Sequence, residues 1–244
     1  HKLLMMQMVK LNFKKKIRIL DYKNIVSSKL DNKKINLINV NYNPSKAFEP
    51  ISSKSNSYIE NCFKIAFQLI KKYHFKRVVT GPISKKYFLN KKHLGITEYI
   101  SKKFKIRKNA MLIYNKNISV CPLTTHLPLK FVSKKIDKKL IFEKIKLINN
   151  FYINFFKLKP RIGVLGINPH CESIDKFNED EEILKPTIRK LKKLNYKITG
   201  PLPADTVFMK NNLKNFDVIL GMYHDQVLTP MKTLFEYDAS IEFN

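Results

Sequence analysis

The sequence holds 244 residues, 44% hydrophobic and 27% charged, which is enough to bury a sizeable core and too apolar for wholesale disorder. No apolar run approaches the roughly twenty residues that a membrane-spanning helix needs. The formal charge of +28 invites a nucleic-acid reading, but Arg supplies only five of the 47 basic residues, and a surface built to grip phosphates usually keeps Arg for its bidentate fork. Lys, Asn and Ile are abundant together, so the charge reads as codon drift toward A and T. The three cysteines, Cys62, Cys121 and Cys171, are far apart and odd in number, and no CxxC pair is present. A disulfide scaffold and a zinc clip are therefore both unsupported, and a reducing, cytoplasmic interior is expected.

In chain order, His1 to Lys10 reads as a helix already under way, which suggests a start inside a domain. Ile35 to Val40 reads as a strand. Ser57 and Glu60 form a capping box before a helix with Ile59, Phe63, Phe67 and Ile70 on one face. Arg77 to Thr80 follows as a strand ending at Gly81-Pro82, and Ala110 to Tyr114 with Ile118 to Pro122 reads as a strand pair. Asp137 to Phe156 is a long helix closed off by Pro160, and Arg161 to Ile167 is a buried strand. Glu179 to Leu194 is a further helix kinked or broken at Pro186, and Asp217 to Met222 is a last strand. The βαβ rhythm predicts an α/β fold with a parallel, doubly wound sheet.

Three histidines share one address. His126 follows the apolar run ending at Leu123, His170 follows the strand at Arg161 to Ile167, and His224 follows the strand around Val218. The carboxyl ends of strands form the ligand crevice of an open α/β sheet, and three imidazoles there suit one divalent metal with positions left for substrate. Taken singly, each is more often a solvated or hydrogen-bonded loop residue than a ligand. His1, His74 and His93 lack this address and read as surface residues. Asp225 follows His224, and Asp205 lies in Pro201-Leu202-Pro203-Ala204-Asp205-Thr206. Each acid could move a proton or orient a histidine, and each could equally cap the next helix. Lys232 is a candidate phosphate contact. With six glycines and no GxGxxG, GxxxxGK[ST] or GxSxG, dinucleotide fingerprint, P-loop and nucleophile elbow are unsupported.

These segments, Thr124-Thr125-His126-Leu127-Pro128-Leu129, Asn168-Pro169-His170, Gly200-Pro201-Leu202-Pro203-Ala204-Asp205-Thr206 and Met222-Tyr223-His224-Asp225-Gln226, occur here in an order that resembles the 4-hydroxythreonine-4-phosphate dehydrogenase family of pyridoxal-phosphate biosynthesis. Thr80-Gly81-Pro82-Ile83 and Gly95-Ile96-Thr97-Glu98 are similar to its earlier motifs, so the likeness runs from about Val78 to Lys232. The resemblance implies an isocitrate/isopropylmalate dehydrogenase-like fold, with two doubly wound α/β/α lobes and the active site in the cleft between them. Residues 1–82 plus about 200–244 would form a discontinuous first lobe, and about 83–199 a central lobe carrying dimer contacts.

The implied chemistry is metal- and NAD(P)+-dependent oxidation of 4-phosphohydroxy-L-threonine to a 3-oxo acid that loses CO2. The resemblance makes His126, His170 and His224 the metal ligands, with Zn2+ foremost and Mg2+, Mn2+ or Co2+ as other occupants. It makes Thr97 and Lys232 substrate contacts and the protein a homodimer sharing the metal site across its interface; Asp205 and Asp225, from their places beside these motifs, are the candidate catalytic residues. Cofactor-binding residues are not assigned.

Some positions depart from the family pattern. Ile96 stands where the family has a substrate-binding His, with Lys92 and His93 nearby as substitute donors. Cys171-Glu172-Ser173 replaces a glycine-rich stretch, and the tail from Ala239 to Asn244 aligns poorly. A paralogue acting on another hydroxy acid is therefore the alternative enzyme, and a basic, non-catalytic nucleic-acid-binding protein the alternative of another class.

Overall fold

A computed structural model describes residues 1–25, 30–75, 77–89, 93, 95–235 and 241–243. Lys92 and tail positions 239, 240 and 244 lie outside the described residues. The chain divides into two compact units, His1–Tyr99 and Ile100–Asn244.

In the amino-terminal unit, α1 (Lys2–Lys10) is followed by β1 (Ile17–Leu20) and β2 (Ile35–Ile38), which pair in parallel from Ile17↔Ile35 to Leu20↔Ile38. α2 (Asn56–Tyr73) carries Phe63 into an aromatic cluster, with ring centroids 5.9 Å from Phe88 and 5.1 Å from Tyr99. The sequence pattern placed the cap of α2 at Ser57. The N-cap is in fact Ser55, and Ser57 lies inside the first turn. Residues 77–80 form no strand, and Val79 is 97% exposed. A β-prone run becomes a strand only when a neighbour takes up its backbone hydrogen bonds. The division into units falls within α3 (Ile96–Phe104).

The carboxyl-terminal unit is built on β3 (Leu112–Tyr114), β4 (Ser119–Thr124), β5 (Ile162–Leu165), β6 (Ile198–Leu202), β7 (Val218–Tyr223) and β8 (Ile241–Phe243). Their order in the sheet is β6-β5-β7-β4-β3-β8. β4 to β7 run parallel, while β3 is antiparallel to both β4 and β8, so the sheet is mixed where a wholly parallel one was expected. The antiparallel edge follows from the short link between β3 and β4. Asn115 Oδ1 accepts the Asn117 N–H at 2.9 Å there, and so short a link returns the chain as a hairpin. β7, from the segment grouped in sequence with residues 1–82, is hydrogen-bonded between β4 and β5.

Alternation along the strands feeds two apolar layers. Cys121, Leu123, Ile162, Val164, Val218 and Leu220 pack with Ile141, Ile145 and Ile148 of α4 (Lys138–Phe156) and Ile188 and Leu191 of α5 (Lys185–Lys193). Val120, Leu165 and Ile219 pack on the other face with Val207 of α6 (Ala204–Val207) and with Val227, Leu228 and Met231 of α8 (His224–Phe235). α7 (Lys210–Leu213) bridges α6 and β7 in sequence.

α4 starts as its sequence predicts, with Asp137 accepting the Leu140 N–H at 2.8 Å. Pro186 does not break the backbone: a π-helical turn, Asp180–Leu184, runs directly into α5 with helical angles at Leu184 and Lys185, and the proline sits in the first turn of α5, where its missing N–H costs least.

The starts of β5 and β7 are tied by one acid. Asp217 Oδ2 accepts the Arg161 backbone N–H at 2.7 Å and Nε at 3.1 Å, and Oδ1 accepts Nη2 at 2.9 Å. Burial pushes the Asp217 carboxyl up, but the hydrogen bonds and charge of Arg161 outweigh it and hold it below its ordinary 3.8. A depressed carboxyl contributes stability above its unfolded value and loses it as pH falls through the folded one. Asp217→Asn is therefore expected to cost about 1 kcal/mol at neutral pH for this partly exposed pair. Urea unfolding should show the gap from wild type closing as pH drops below 3.8, and an undiminished gap there would contradict this account.

Candidate functional site

β4 and β7 are adjacent and parallel, with Thr124 opposite Tyr223. His126 follows the first strand and His224 opens α8 after the second, so the pairing brings the two rings together, centroids 6.1 Å apart and planes tilted by 36°. Both are half-buried. The strand ends are pinned by side chains: Thr124 Oγ1 donates to the Met222 carbonyl at 2.8 Å. Gln226 Oε1 accepts the Met222 N–H at 2.7 Å, while its Nε2 donates to the Gly166 carbonyl at 2.8 Å. α8 can begin this close to β7 because residue 221 is glycine. A Cβ there would stand 2.4 Å from Val227 Cγ1.

Asp225 Oδ1 lies 2.6 Å from His224 Nδ1. With the carboxylate accepting, Nδ1 carries the proton and Nε2 is left as the basic nitrogen, the arrangement by which an acid orients a metal-binding imidazole. Asp225 also sits in the first turn of α8, where a negative charge is favoured.

The donor set can be tested against a divalent ion. With N–metal bonds near 2.0–2.1 Å and tetrahedral angles, two imidazoles sharing one ion have centroids roughly 5 Å apart, against the observed 6.1 Å. His126 and His224 are thus neighbours whose rings would have to draw about 1 Å closer to share a tetrahedral ion. His170 is exposed on a short 3-10 turn, Pro169–Cys171, with φ 55°. Among the described residues of one chain, no three His, Cys, Asp or Glu side chains gather as a metal cage.

Asp205, exposed on α6, and Asp225 line one open groove of about 730 Å³ together with Phe208, Met209, Tyr223 and Leu234. Lys232 lies on α8, exposed, eight residues beyond His224 and so roughly 12 Å along the axis. Thr97 and Ile96, both half-buried, belong to the first turn of α3 in the amino-terminal unit. His1 and His74 are exposed as expected, whereas His93 is half-buried with its ring 5.4 Å from that of Tyr99. Pattern reading left two residues without a role, Gln226 and Asp180. Gln226 stands two residues after His224 and was visible in its motif. Asp180 lies twelve residues after Asn168, whose N–H it accepts, a separation at which sequence offers no signal.

A family model described as pyridoxal phosphate biosynthetic protein PdxA matches residues 1–243. The chain belongs to the PdxA family. It is 34% identical over 204 residues to a 4-hydroxythreonine-4-phosphate dehydrogenase of Sulfurihydrogenibium sp., covering 82% of this chain and 62% of that protein. To the enzyme of the same name from Aquifex aeolicus it is 32% identical over 240 residues, covering 96% and 71%. The chain thus spans about three fifths to seven tenths of the length of these curated relatives. Among solved structures, a 4-hydroxythreonine-4-phosphate dehydrogenase from Burkholderia phymatum superposes with a TM-score of 0.78 at 27% identity, covering 95% of this chain and 71% of that one. One from Klebsiella pneumoniae gives 0.76 at 25% identity, covering 94% and 71%. The α/β architecture expected from the PdxA motifs is the one observed.

Gln226 joins two backbone groups of neighbouring strands, so Gln226→Leu leaves the Met222 N–H and the Gly166 carbonyl without this partner. A loss of about 2–3 kcal/mol in unfolding free energy is expected from urea titration. A loss under about 0.5 kcal/mol would mean that the strand ends hold together without it.

Proposed function

We propose that this chain performs the reaction for which its relatives are named. In that reaction NAD(P)+ oxidises the secondary hydroxyl of 4-phosphohydroxy-L-threonine by two electrons. The resulting 3-oxo acid loses CO2 to give 3-amino-2-oxopropyl phosphate, on the route to pyridoxal 5'-phosphate. The observation that carries this reading is the His126–His224 pair at adjacent strand ends, with Asp225 on the far nitrogen of His224.

A bound divalent cation, Zn2+ foremost, would supply Lewis-acid polarisation of the substrate oxygens, and the nicotinamide would supply the electron acceptor. His126, His224 and His170 are the proposed ligands. Asp225 keeps the His224 proton on Nδ1 and so keeps Nε2 available. Asp205 and Asp225 offer the groove two carboxylates able to take or return a proton. Thr97 and Lys232 are the proposed contacts to the substrate, Lys232 to its phosphate. A homodimer in which a second copy completes the ligand set accommodates a chain that pairs two of the three histidines. Cys62, Cys121 and Cys171 are free, in keeping with the cytoplasm as the place of work. No helix among the described residues is long and apolar enough to cross a membrane.

One observation favours a second reading, oxidation of a different hydroxy acid: Ile96, at the start of α3, packs where the family pattern has a histidine that can hydrogen-bond substrate. A charge-assisted hydrogen bond is worth about 1.5–3 kcal/mol, or roughly ten- to a hundred-fold in binding.

Two experiments test these readings. The purified full chain, supplied with Zn2+, NAD+ and 4-phosphohydroxy-L-threonine, should raise absorbance at the reduced-nicotinamide band. His126→Ala and His224→Ala should each abolish that turnover and lower bound metal at least about ten-fold; full activity in either would refute the assignment. Ile96→His should raise kcat/KM about ten-fold or more if the natural substrate is a different one. No gain, with efficient turnover by the natural chain, leaves 4-phosphohydroxy-L-threonine as the substrate.

A further inference from the structure

Asp180 is 0% exposed, an acid sealed inside the carboxyl-terminal unit at the start of the π-helical turn before α5. Its Oδ1 accepts the backbone N–H of Ile167 at 3.0 Å, and its Oδ2 accepts both the backbone N–H and the side-chain Nδ2 of Asn168, each at 3.0 Å. Its own N–H is donated to Asn178 Oδ1 at 2.9 Å, and Asn168 Nδ2 also reaches Glu179 Oε2 at 3.2 Å. Space for the carboxyl comes from Gly166: a Cβ there would stand 2.8 Å from Asp180 Oδ1 and 2.6 Å from Cys171 Sγ.

Burying a carboxyl group is costly unless it is fully hydrogen-bonded, and a core position of this kind would ordinarily hold an apolar residue. Here the donors converge from two consecutive residues, Ile167 and Asn168, which lead directly into Pro169 and His170. The turn they feed holds His170 at φ 55° and Cys171 at φ 63°, both left-handed and neither glycine. Such a pair persists only where its surroundings fix the chain on entry.

We infer that Asp180 is the positioning residue for His170: its carboxyl group fixes the chain at Ile167 and Asn168 and so sets where the His170 imidazole is presented. The inference rests on the metal reading above and adds to it a residue that touches neither metal nor substrate. Asn is a poor replacement, because its single oxygen satisfies one of the two backbone N–H groups while its NH2 is turned toward the other.

The test uses the full chain and Zn2+ alone, with affinity read by competition against a chromophoric chelator. Wild type, Asp180→Asn, His170→Ala and the double variant are compared, and far-UV circular dichroism and amide exchange are recorded on the metal-free proteins. Asp180→Asn is expected to weaken Zn2+ binding about ten- to a hundred-fold, as loss of a group that orients a ligand does. The Ile167 and Asn168 amides should exchange faster. In the His170→Ala background the same substitution should cost nothing further, because Asp180 acts through that imidazole.

Unchanged affinity in Asp180→Asn, or a loss that adds in full to that of His170→Ala, overturns the inference and leaves the metal site standing. A wild-type chain that binds no Zn2+ overturns the metal reading and the inference together. Should Asp180→Asn fail to fold, Asn168→Ala removes one of the three donors while both backbone bonds remain. It should weaken Zn2+ binding by about three- to ten-fold, and wild-type affinity in that variant overturns the inference.

Discussion

The parallel run β5–β7–β4 is the constraint on which the candidate site depends. Parallel strands end on the same side: the register Thr124↔Tyr223 brings the ends of β4 and β7 level, and Val164↔Leu220 ends β5 about two residues earlier. The chain leaving β4 turns to the face covered by α4, whereas the chain leaving β7 turns at once into α8 on the opposite face. Adjacent strands whose continuations part to opposite faces open a crevice at their carboxyl ends. His126 and His224 are the residues at that parting. Their meeting is a consequence of sheet topology; the hydrogen bond of Thr124 then holds the end of β4 to β7, and those of Gln226 hold the end of β7 to that of β5.

The same alternation that builds the two apolar layers fixes which residues reach the crevice. Ile141, Ile145, Val164 and Leu220 are fully buried on one face, and Ile219 and Val227 on the other. Each fully buried side chain of this size contributes about 1.5–3 kcal/mol, so unpacking the four on the first face would cost about 6–12 kcal/mol, on the scale of a domain's whole net stability. Polar groups at the strand ends are therefore carried to their places by apolar residues that take no part in the chemistry.

Much of the carboxyl-terminal unit was legible in sequence for this reason. α4, β5, β7 and the β3–β4 pair have strong periodicity and clear ends, and the placing of His126 and His224 after neighbouring strands followed from those ends. β6 was not legible because Gly200 and Pro201 within it read as turn residues, and β1 because Lys14 to Lys16 obscure where its short apolar run begins. Arg77 to Thr80 has strand composition without strand pairing, which depends on neighbours that a local pattern does not contain. In the site, the meeting of His126 with His224 could be read, but the loop of His170 could not. Its conformation is set by Asp180 from twelve residues away, and by contacts at Gly166 that no local motif encodes.

That loop can be weighed with magnitudes. Two non-glycine residues in the left-handed region, His170 and Cys171, cost together about 2–4 kcal/mol relative to ordinary backbone. A hydrogen bond to a charged group contributes about 1.5–3 kcal/mol net, and Asp180 accepts three from the residues leading into the turn. The ties exceed the strain, so the turn keeps its shape without glycine at either position. A turn held through one buried acid is sensitive at a residue far from any chemistry. It is also stiff enough, while that acid is in place, to hold an imidazole at a fixed point on the strand-end surface.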